Sequence, residues 1–296
     1  MTDLCREGRA LGAQGIELFW RLWPACEPRR AVLLVHGLGE HSGRYDAFAR
    51  SLAAEGTSVF SFDLRGHGRS PGARGDVDAF PRLLEDLLGM ESEMAHHVPD
   101  GIPWFLMGHS LGGLICIRRL QVFKGPFQGA IISAPWLATA LPDWVRSIGC
   151  FLGVILPTVP IPAGVNPERL TRDPEMMAAW REDPLIHTRI TGRFFREAER
   201  EQRTAKVSPL PEGVSSLFLV PTDDPVVQSP VTMAFAQGIV GRGASIEILE
   251  GRRHEPLNDV GKEEVYRMVI DWLAAQTDAD HDSPLQRGVP PESEKG

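Results

Sequence analysis

The sequence predicts an α/β fold with a mostly parallel, doubly wound sheet, and three observations lead to this prediction. Segments with strand and helix patterns alternate four times between residues 31 and 135, with short connections. The run AVLLVHG at 31–37 is continuously apolar, as expected for a strand buried on both faces of a parallel sheet. After a long interruption, the alternation resumes at residue 215. This pattern is typical of βαβ units that share one sheet.

Each element is predicted from its periodicity. Residues 15–24 alternate apolar and polar positions, which predicts one strand of an N-terminal hairpin. The strongest helix pattern, at 78–98, has one apolar stripe with acidic residues off it: Phe80, Leu83, Leu84, Leu87 and Leu88. The other strands are predicted at 57–70 (with an exit loop), 102–108, 127–135, 215–224 and 244–251, and the other helices at 43–56, 110–123, 229–241 and 261–276.

The alternation stops between residues 136 and 210, in a segment with eight prolines and no clear strand pattern. A loop of this length without structure of its own is rare inside a compact domain. We therefore predict a helical cap at 136–210, inserted after the sixth strand. The core is then divided into 1–135 and 211–276. The polar segment at 277–296 lacks periodicity and is predicted to be a disordered tail.

The composition argues against several classes of function. With a formal net charge of −8, the 296-residue chain lacks the basic surface of a nucleic-acid-binding protein. The N-terminus has no apolar stretch like that of a secretory signal, and no run reaches the roughly 18 apolar residues of a membrane-spanning helix. The four cysteines form no CxxC motif. We expect a cytoplasmic monomer or homodimer with no nucleic-acid partner.

The stretch GHSLG at 108–112 matches the nucleophile motif G-x-S-x-G. The motif is weak alone, but here an apolar strand pattern precedes it and a helix pattern follows it, as the motif requires. Gly108 and Gly112 would leave room for a strained turn that presents Ser110, and the helix N-terminus would favour negative charge there. The alternative is that Ser110 only caps the helix and the glycines only form a turn.

The nucleophile hypothesis requires an acid and a histidine later in the chain, in that order, each after a strand. Asp223 and Asp224 end one predicted strand, and His254 follows the next. Both positions lie at the carboxyl edge of the predicted sheet, where open α/β folds place their sites. His254 would accept the proton of Ser110, and an aspartate would orient the imidazole. Neighbouring side chains alternate in direction, so only one aspartate can do this, and the residues alone leave the choice open.

Two backbone N–H groups are needed to hold the negative charge that develops on the substrate oxygen. We expect them from Leu111, directly after the nucleophile, and from Leu38, in the glycine-rich loop after the strand at 31–37. His36, Glu40 and His41 lie near that loop, but their spacing does not match the zinc motif H-E-x-x-H. We therefore expect neither a metal nor another cofactor.

Four blocks of sequence carry a more specific signal: HGLGEHSGRYDAFARSLAAEG, FDLRGHGRSPGARGDVDAF, MGHSLGG and LEGRRHEPLND. They resemble the corresponding blocks of the monoacylglycerol lipase and lysophospholipase-like α/β-hydrolases, a group often classed with the serine aminopeptidase S33 hydrolases. The resemblance covers about residues 15–276 and implies the α/β-hydrolase fold. The cap at 136–210 corresponds to the segment that covers the acyl site in this family.

The resemblance also implies roles for individual residues. Ser110 matches the family's nucleophile, His254 its base and Asp224 its acid, and Leu38 and Leu111 match its oxyanion-hole positions.

One departure from the family concerns the strand before the acid. The family has a glycine at the end of this strand, and here Pro221 replaces it. Asp223 therefore stays open as the alternative acid to Asp224.

The resemblance implies a serine hydrolase that cleaves the carboxylic ester of a lipid monoester, either a monoacylglycerol or a lysophospholipid, through an acyl-enzyme. One alternative is a general short-chain carboxylesterase, thioesterase or peptidase with the same triad. Another is a catalytically inactive binding protein.

The predicted cap contains an apolar segment with almost no charge, which includes Trp144, Ile148, Phe151, Leu152 and Ile155. An exposed apolar patch of this size normally has a use. We predict that these residues bind the acyl chain and make a weak hydrophobic contact with membranes, so that the cytoplasmic protein would be peripheral on a membrane. The alternative is that the segment forms the core of the cap or a dimer interface.

Overall fold

The computed structural model describes residues 5–281, and a mixed sheet forms its centre. The strands in this part of the chain are β1 (Arg6–Leu11), β2 (Glu17–Trp23), β3 (Arg30–Val35), β4 (Thr57–Phe62), β5 (Trp104–His109), β6 (Phe127–Ser133), β7 (Pro160–Pro162), β8 (Arg189–Thr191), β9 (Ser215–Pro221) and β10 (Ala244–Leu249). The central sheet has the order β1-β2-β4-β3-β5-β6-β9-β10. β2 pairs antiparallel with β1 and β4, and all other neighbours run parallel. The predicted N-terminal hairpin and mostly parallel sheet are therefore confirmed.

Helices cover both faces of this sheet. Those of the described residues are α1 (Asp46–Ala54), α2 (Pro81–Ala95), α3 (Leu111–Val122), α4 (Asp143–Ile155), α5 (Pro167–Leu170), α6 (Pro174–Glu182), α7 (Gly192–Val207), α8 (Ser229–Gln237) and α9 (Lys262–His281). β3 shows why its sequence is continuously apolar. Leu33 and Val35 belong to the apolar cluster that includes residues of α2 and α3, whereas Val32 and Leu34 belong to the cluster with residues of α1 and α9.

Helix α2 corrects one detail of the sequence pattern. Its stripe is buried as predicted, although Leu88 is only half-buried. Asp86 and Glu91, which lie off the stripe, are also buried. The reason is that α2 packs against α3 and the N-terminal hairpin as well as the sheet. Its carboxylates therefore face the guanidinium groups of Arg65 and Arg119 instead of water.

The insertion between β6 and β9 contains helices α4 to α7 and one pair of short strands. The insertion is not purely helical as the sequence predicted, because β7 and β8 pair antiparallel, with Ile161 opposite Ile190. Strands of three residues, one of them with two prolines, are too short to show a period. α4 and α7 approach closely at two glycines, since a Cβ on Gly153 would lie 2.3 Å from the carbonyl oxygen of Gly192.

The last helix, α9, is longer than the sequence predicted. It continues to His281, five residues beyond the predicted boundary at 276. Thr277 explains part of this extension, because its buried hydroxyl donates to the carbonyl of Leu273 and accepts from Arg30. The remainder of the predicted tail, 282–296, lies outside the described residues.

Candidate active site

Ser110 occupies the turn between β5 and α3, in a backbone conformation that is rare for a residue with a side chain. Its φ is +52° and its ψ is −113°. Hydrogen bonds hold this strained conformation in place. The N–H of Ser110 donates to the carbonyl of Ser133 (3.0 Å), and its own carbonyl accepts from the N–H groups of Leu114 and Trp136. Ser110 is thus held at the carboxyl end of the parallel strands.

Close backbone contacts explain why both positions of the motif are glycines. A Cβ on Gly108 would lie 2.3 Å from the carbonyl oxygen of Gly112. A Cβ on Gly112 would lie 2.1 Å from the carbonyl oxygen of Val35, on the neighbouring strand. The turn that presents Ser110 therefore has no space for a side chain at either position.

His254 contacts Asp224 and not Asp223. Nδ1 of His254 lies 2.7 Å from Oδ2 of Asp224, and both side chains are buried. The other oxygen, Oδ1 of Asp224, accepts the N–H groups of Val226 (2.7 Å) and Val227 (3.0 Å). The side chain of Asp223 is 57% exposed and forms an ion pair with Arg253, at 3.3 Å. Pro221, in place of the family's glycine, is compatible with this contact.

The two buried groups shift each other's pKa in opposite directions. Burial alone would lower the pKa of His254, but the charge of Asp224 and the hydrogen bond to it outweigh burial and raise the pKa above its ordinary value. Burial would raise the pKa of Asp224, but His254 and the N–H groups of Val227 and Val226 outweigh it and lower the pKa. This arrangement stabilises an imidazolium on His254 beside an ionised carboxylate.

Ser110 and His254 line the same cavity, which has a volume of about 710 Å³. Within residues 5–281, no hydrogen bond joins their side chains. Catalytic hydrogen bonds of this kind tighten when substrate binds. His109 packs under His254, with 4.9 Å between the ring centres. Burial and the charge of His254 lower the pKa of His109 to about 3, so this ring is neutral and serves as packing.

The N–H groups of Leu38 and Leu111 are available for a ligand. Leu111 is the first residue of α3, whose first N–H groups have no partner inside the helix. Among the hydrogen bonds of the described residues, none uses the N–H of Leu38 or that of Leu111 as donor. The loop that carries Leu38 runs beneath the cap, because a Cβ on Gly39 would lie 2.2 Å from the carbonyl oxygen of His187. Leu38 lines the cavity of Ser110, and Leu111 follows Ser110 directly in the chain.

A buried network that the sequence analysis missed supports this loop. Glu40 accepts the N–H of Gly37 (2.6 Å) and the hydroxyl of Tyr45 (2.8 Å). Arg44 lies 3.3 Å from Glu40 and makes two hydrogen bonds of 2.7 Å to Glu255. Glu255 follows His254 directly, so the network links the loop that carries Leu38 to the loop that carries His254. The four-residue spacing of Glu40 and Arg44 could have indicated their ion pair in advance. The contact with Glu255 could not be seen in the same way, because Glu255 is 211 positions away from Arg44.

The histidines near this loop have protein partners of their own. Nδ1 of His36 contacts the carbonyl of Gly37 (2.8 Å), and its Nε2 accepts the N–H of Leu64 (2.9 Å). Nε2 of His41 lies 2.7 Å from Asp183 of the cap. These rings therefore fix the loop and attach the cap to it.

The prediction that α4 lines the acyl site was wrong. None of the predicted residues, Trp144, Ile148, Phe151, Leu152 and Ile155, lines the cavity of Ser110. Four of these side chains are at least half exposed, and Leu152 is partly buried. The physical reason is that α4 turns its glycines towards α7, which leaves its large side chains facing outwards. The apolar wall comes from other residues: Trp136, Leu141, Ala163, Val165, Leu170, Trp180, Ile190, Phe195 and Val226.

Comparison with known proteins agrees with this geometry. Residues 26–261 match the family described as serine aminopeptidase, S33. The chain belongs to the serine aminopeptidase S33 family. The monoacylglycerol lipase of Mycolicibacterium smegmatis is 26% identical over 276 residues, which are 89% of this chain and 95% of that protein. The crystal structure of Paleococcus ferrophilus monoacylglycerol lipase superposes with a TM-score of 0.79 at 30% identity, over 88% of this chain and all of that one.

Membership of the S33 family confirms the resemblance and the α/β-hydrolase fold, and the chain is a carboxylic ester hydrolase. An abhydrolase domain-containing protein of Dictyostelium discoideum is 28% identical over 89% of this chain, which spans only 28% of that longer protein. Among the helices of residues 5–281, none combines the length and the apolar character needed to cross a bilayer.

Proposed function

We propose that this S33 hydrolase is a serine esterase that cleaves lipid monoesters through an acyl-enzyme. The observation that carries the proposal is the buried pair of His254 and Asp224 beside Ser110, at the wall of a largely apolar cavity. In this proposal Ser110 is the nucleophile, His254 the general base and Asp224 the residue that orients the imidazole.

The proposed reaction has two steps of the same kind. Oγ of Ser110 attacks the ester carbonyl and gives its proton to His254, and the N–H groups of Leu38 and Leu111 hold the oxyanion. His254 then protonates the departing alcohol, and the acyl group stays on Ser110. Water attacks this acyl-enzyme with His254 again as base, which releases the fatty acid and restores the serine.

The cavity supports a substrate with one long acyl chain. Most of its wall is apolar, as is usual for sites that bind a small organic ligand. Two of the similar proteins are monoacylglycerol lipases by name. The outer face of α4 supports a contact with the surface where such lipids reside, so the protein would be peripheral on a membrane. The exposed large apolar side chains of α4 are Trp144, Ile148, Phe151, Val154 and Ile155.

A pH-stat assay with monoacylglycerols of two to sixteen carbons tests the proposal. We expect turnover to increase with chain length beyond four carbons, and to fall by about 10³-fold or more in Ser110→Ala. A circular dichroism spectrum and a thermal unfolding curve would show that the variant is folded. Activity that survives in Ser110→Ala contradicts the serine mechanism, and a preference for two to four carbons indicates the short-chain esterase instead.

A further inference from the structure

A second cavity, which is open to solvent and has exposed arginines on its wall, lies beside the catalytic one, between the cap and the core. Trp180 and His187 line both cavities. Three arginines from different segments converge on the second one, which we name the arginine groove: Arg74 from the core, Arg181 from α6 and Arg189 from β8. The backbone brings these segments together, because the N–H of Thr191 in β8 donates to the carbonyl of Gly75.

Two of these arginines keep most of their donors free. Within the described residues, the guanidinium of Arg189 makes no hydrogen bond and no ion pair. In the same part of the chain, Arg74 makes one side-chain hydrogen bond, from Nη2 to the carbonyl of Gly68 (2.6 Å), and has no carboxylate partner. This bond fixes the direction of Arg74 and leaves its other N–H groups for a ligand. The charge of Arg74 also affects a neighbouring side chain, since burial and this charge together lower the pKa of His187 to about 4.

The carboxylates near the groove do not neutralise it. Among the described residues that line it, Asp183 is the acidic one, and its two oxygens accept from His41 and from the N–H of Leu185. Arg181 pairs with Glu168 at the exposed edge. The groove therefore retains the positive charge of Arg74 and Arg189, in a chain whose formal net charge is −8.

Such a pair of arginines suits a phosphate group. A guanidinium donates two parallel hydrogen bonds to phosphate oxygens, and charge-assisted bonds of this kind are about twice as strong as neutral ones. A neutral glycerol would leave the charge of Arg74 and Arg189 unused. An ester carbonyl at Ser110, with its acyl chain on the apolar wall, would extend its alcohol part past Trp180 and His187 towards the groove.

We propose that the arginine groove binds the phosphate of the substrate's alcohol part, so that the enzyme prefers monoacyl glycerophosphates to neutral monoacylglycerols. This inference rests on the proposed function, because it assigns the head group of the same reaction. Arg189 and Arg74 are the specificity-determining residues, and Trp180 and His187 form the passage between the two cavities.

The test compares octanoylglycerol 3-phosphate with octanoylglycerol, both below their critical micelle concentrations so that no lipid surface is present. We expect Arg189→Gln to raise KM for the phosphate ester by about tenfold and to change the neutral ester by less than twofold, with Arg189→Lys in between. Arg6→Gln is the matched control, because Arg6 is exposed on β1 and lines neither cavity. Equal effects of Arg189→Gln on both esters, or no effect on either, would overturn the proposal.

Calorimetric titration with glycerol 3-phosphate and with inorganic phosphate separates the remaining outcomes. We expect glycerol 3-phosphate to bind, to bind about tenfold more weakly to Arg189→Gln, and to compete with the phosphate ester. Equal affinity for inorganic phosphate, without preference between the two esters, would assign the groove to free phosphate and overturn the head-group proposal. If the wild type hydrolyses neither ester, the proposed function fails, and the groove is then judged by glycerol 3-phosphate binding alone.

Discussion

At the scale of single residues, Asp223 and Asp224 are neighbours with opposite surroundings. Asp224 is buried, accepts two backbone N–H groups and contacts His254, whereas Asp223 is 57% exposed beside Arg253. A buried carboxylate in contact with the imidazole fixes its tautomer and stabilises its charged form. An exposed carboxylate that pairs with an arginine contributes little to the free energy of folding.

The pair Asp224→Asn and Asp223→Asn tests this assignment. We expect Asp224→Asn to lower kcat by about 10³-fold or more, because the amide cannot stabilise the imidazolium. Asp223→Asn makes the same chemical change on the exposed side and should stay within twofold of the wild type. Steady-state hydrolysis of a soluble ester measures both. Loss of activity in Asp223→Asn alone would reassign the acid.

The pH dependence of the reaction follows from the shifted pKa of His254. A general base must be neutral, so kcat/KM falls as the pH decreases through this pKa. Because Asp224 raises the pKa, the midpoint of the acid limb should lie above the ordinary value of about 6.5. In Asp224→Asn the raising effect is lost and burial remains, so the midpoint should move to lower pH. A profile of kcat/KM with no such movement contradicts the coupling of the two groups.

The order of Ser110, an aspartate and His254 along the chain predicted that these residues lie at one edge of the sheet, because the fold brings the ends of parallel strands together there, and the structure places Ser110 and His254 on one cavity. The choice between the two aspartates required the family resemblance, since residues of one strand end look alike in sequence. The Glu40–Arg44–Glu255 network was not predictable from local pattern. It joins side chains from two loops far apart in sequence, and its charges would ordinarily be placed on the surface.

At the scale of elements, α4 has two unlike faces. Gly149 and Gly153 lie against Phe195 and Gly192 of α7, which allows a close approach of the two helices. The large side chains are consequently outside, where the sequence analysis had placed them in the acyl site. Hydrophobicity alone did not distinguish these faces. Which face of a helix packs inwards depends on which side allows the neighbouring helix to approach closely.

Trp144→Ser together with Phe151→Ser tests the outer face of α4. We expect binding to phosphatidylcholine vesicles to weaken by about tenfold or more, because each side chain loses apolar area that would enter the lipid interface. Hydrolysis of a dissolved short ester should stay within twofold, since neither residue lines the cavity. Val207→Ser with Val240→Ser is the matched control, as both valines are at least half exposed on other elements. Unchanged vesicle binding would favour the alternative of a dimer interface.

At the scale of the whole molecule, partly buried charge pairs attach the cap to the core. Arg193 of α7 donates to Asp76 of the core (2.7 Å from Nε), and Arg118 of α3 donates to Glu201 of α7 (2.8 Å). Arg169 of the cap also donates to the carbonyl of Pro225, the residue after Asp224. The cap is thus attached on several sides, including the loop that carries Asp224.

A second set of charges, the buried pair of Arg119 and Glu91, contributes to the stability of the core. Arg119 makes two hydrogen bonds of 2.6 Å to Glu91, and both residues are buried between α2 and α3. Glu91→Ala leaves a buried charge without its partner, so we expect the free energy of unfolding to fall by about 3–5 kcal/mol. Glu85→Ala removes the partner of Arg82 in an exposed pair on the same helix and should cost less than about 1 kcal/mol. Urea denaturation measures both, and equal losses would contradict the distinction.

The mostly parallel sheet was predictable from the alternation of patterns, because buried parallel strands and amphipathic helices have distinct periods. The attachment of the cap was not predictable, since it depends on single contacts between segments far apart in sequence. This explains why the lining of the catalytic cavity was the least predictable part of the site.

Labelling with a fluorophosphonate tests the central claim most directly, because this probe reacts covalently with an activated serine. Digestion and mass spectrometry should show one adduct per chain, on the peptide that contains Ser110, and strongly reduced labelling in His254→Ala. Pre-incubation with a monoacylglycerol should slow the reaction. Absence of an adduct in the folded wild type, or an adduct on a different serine, would contradict the account.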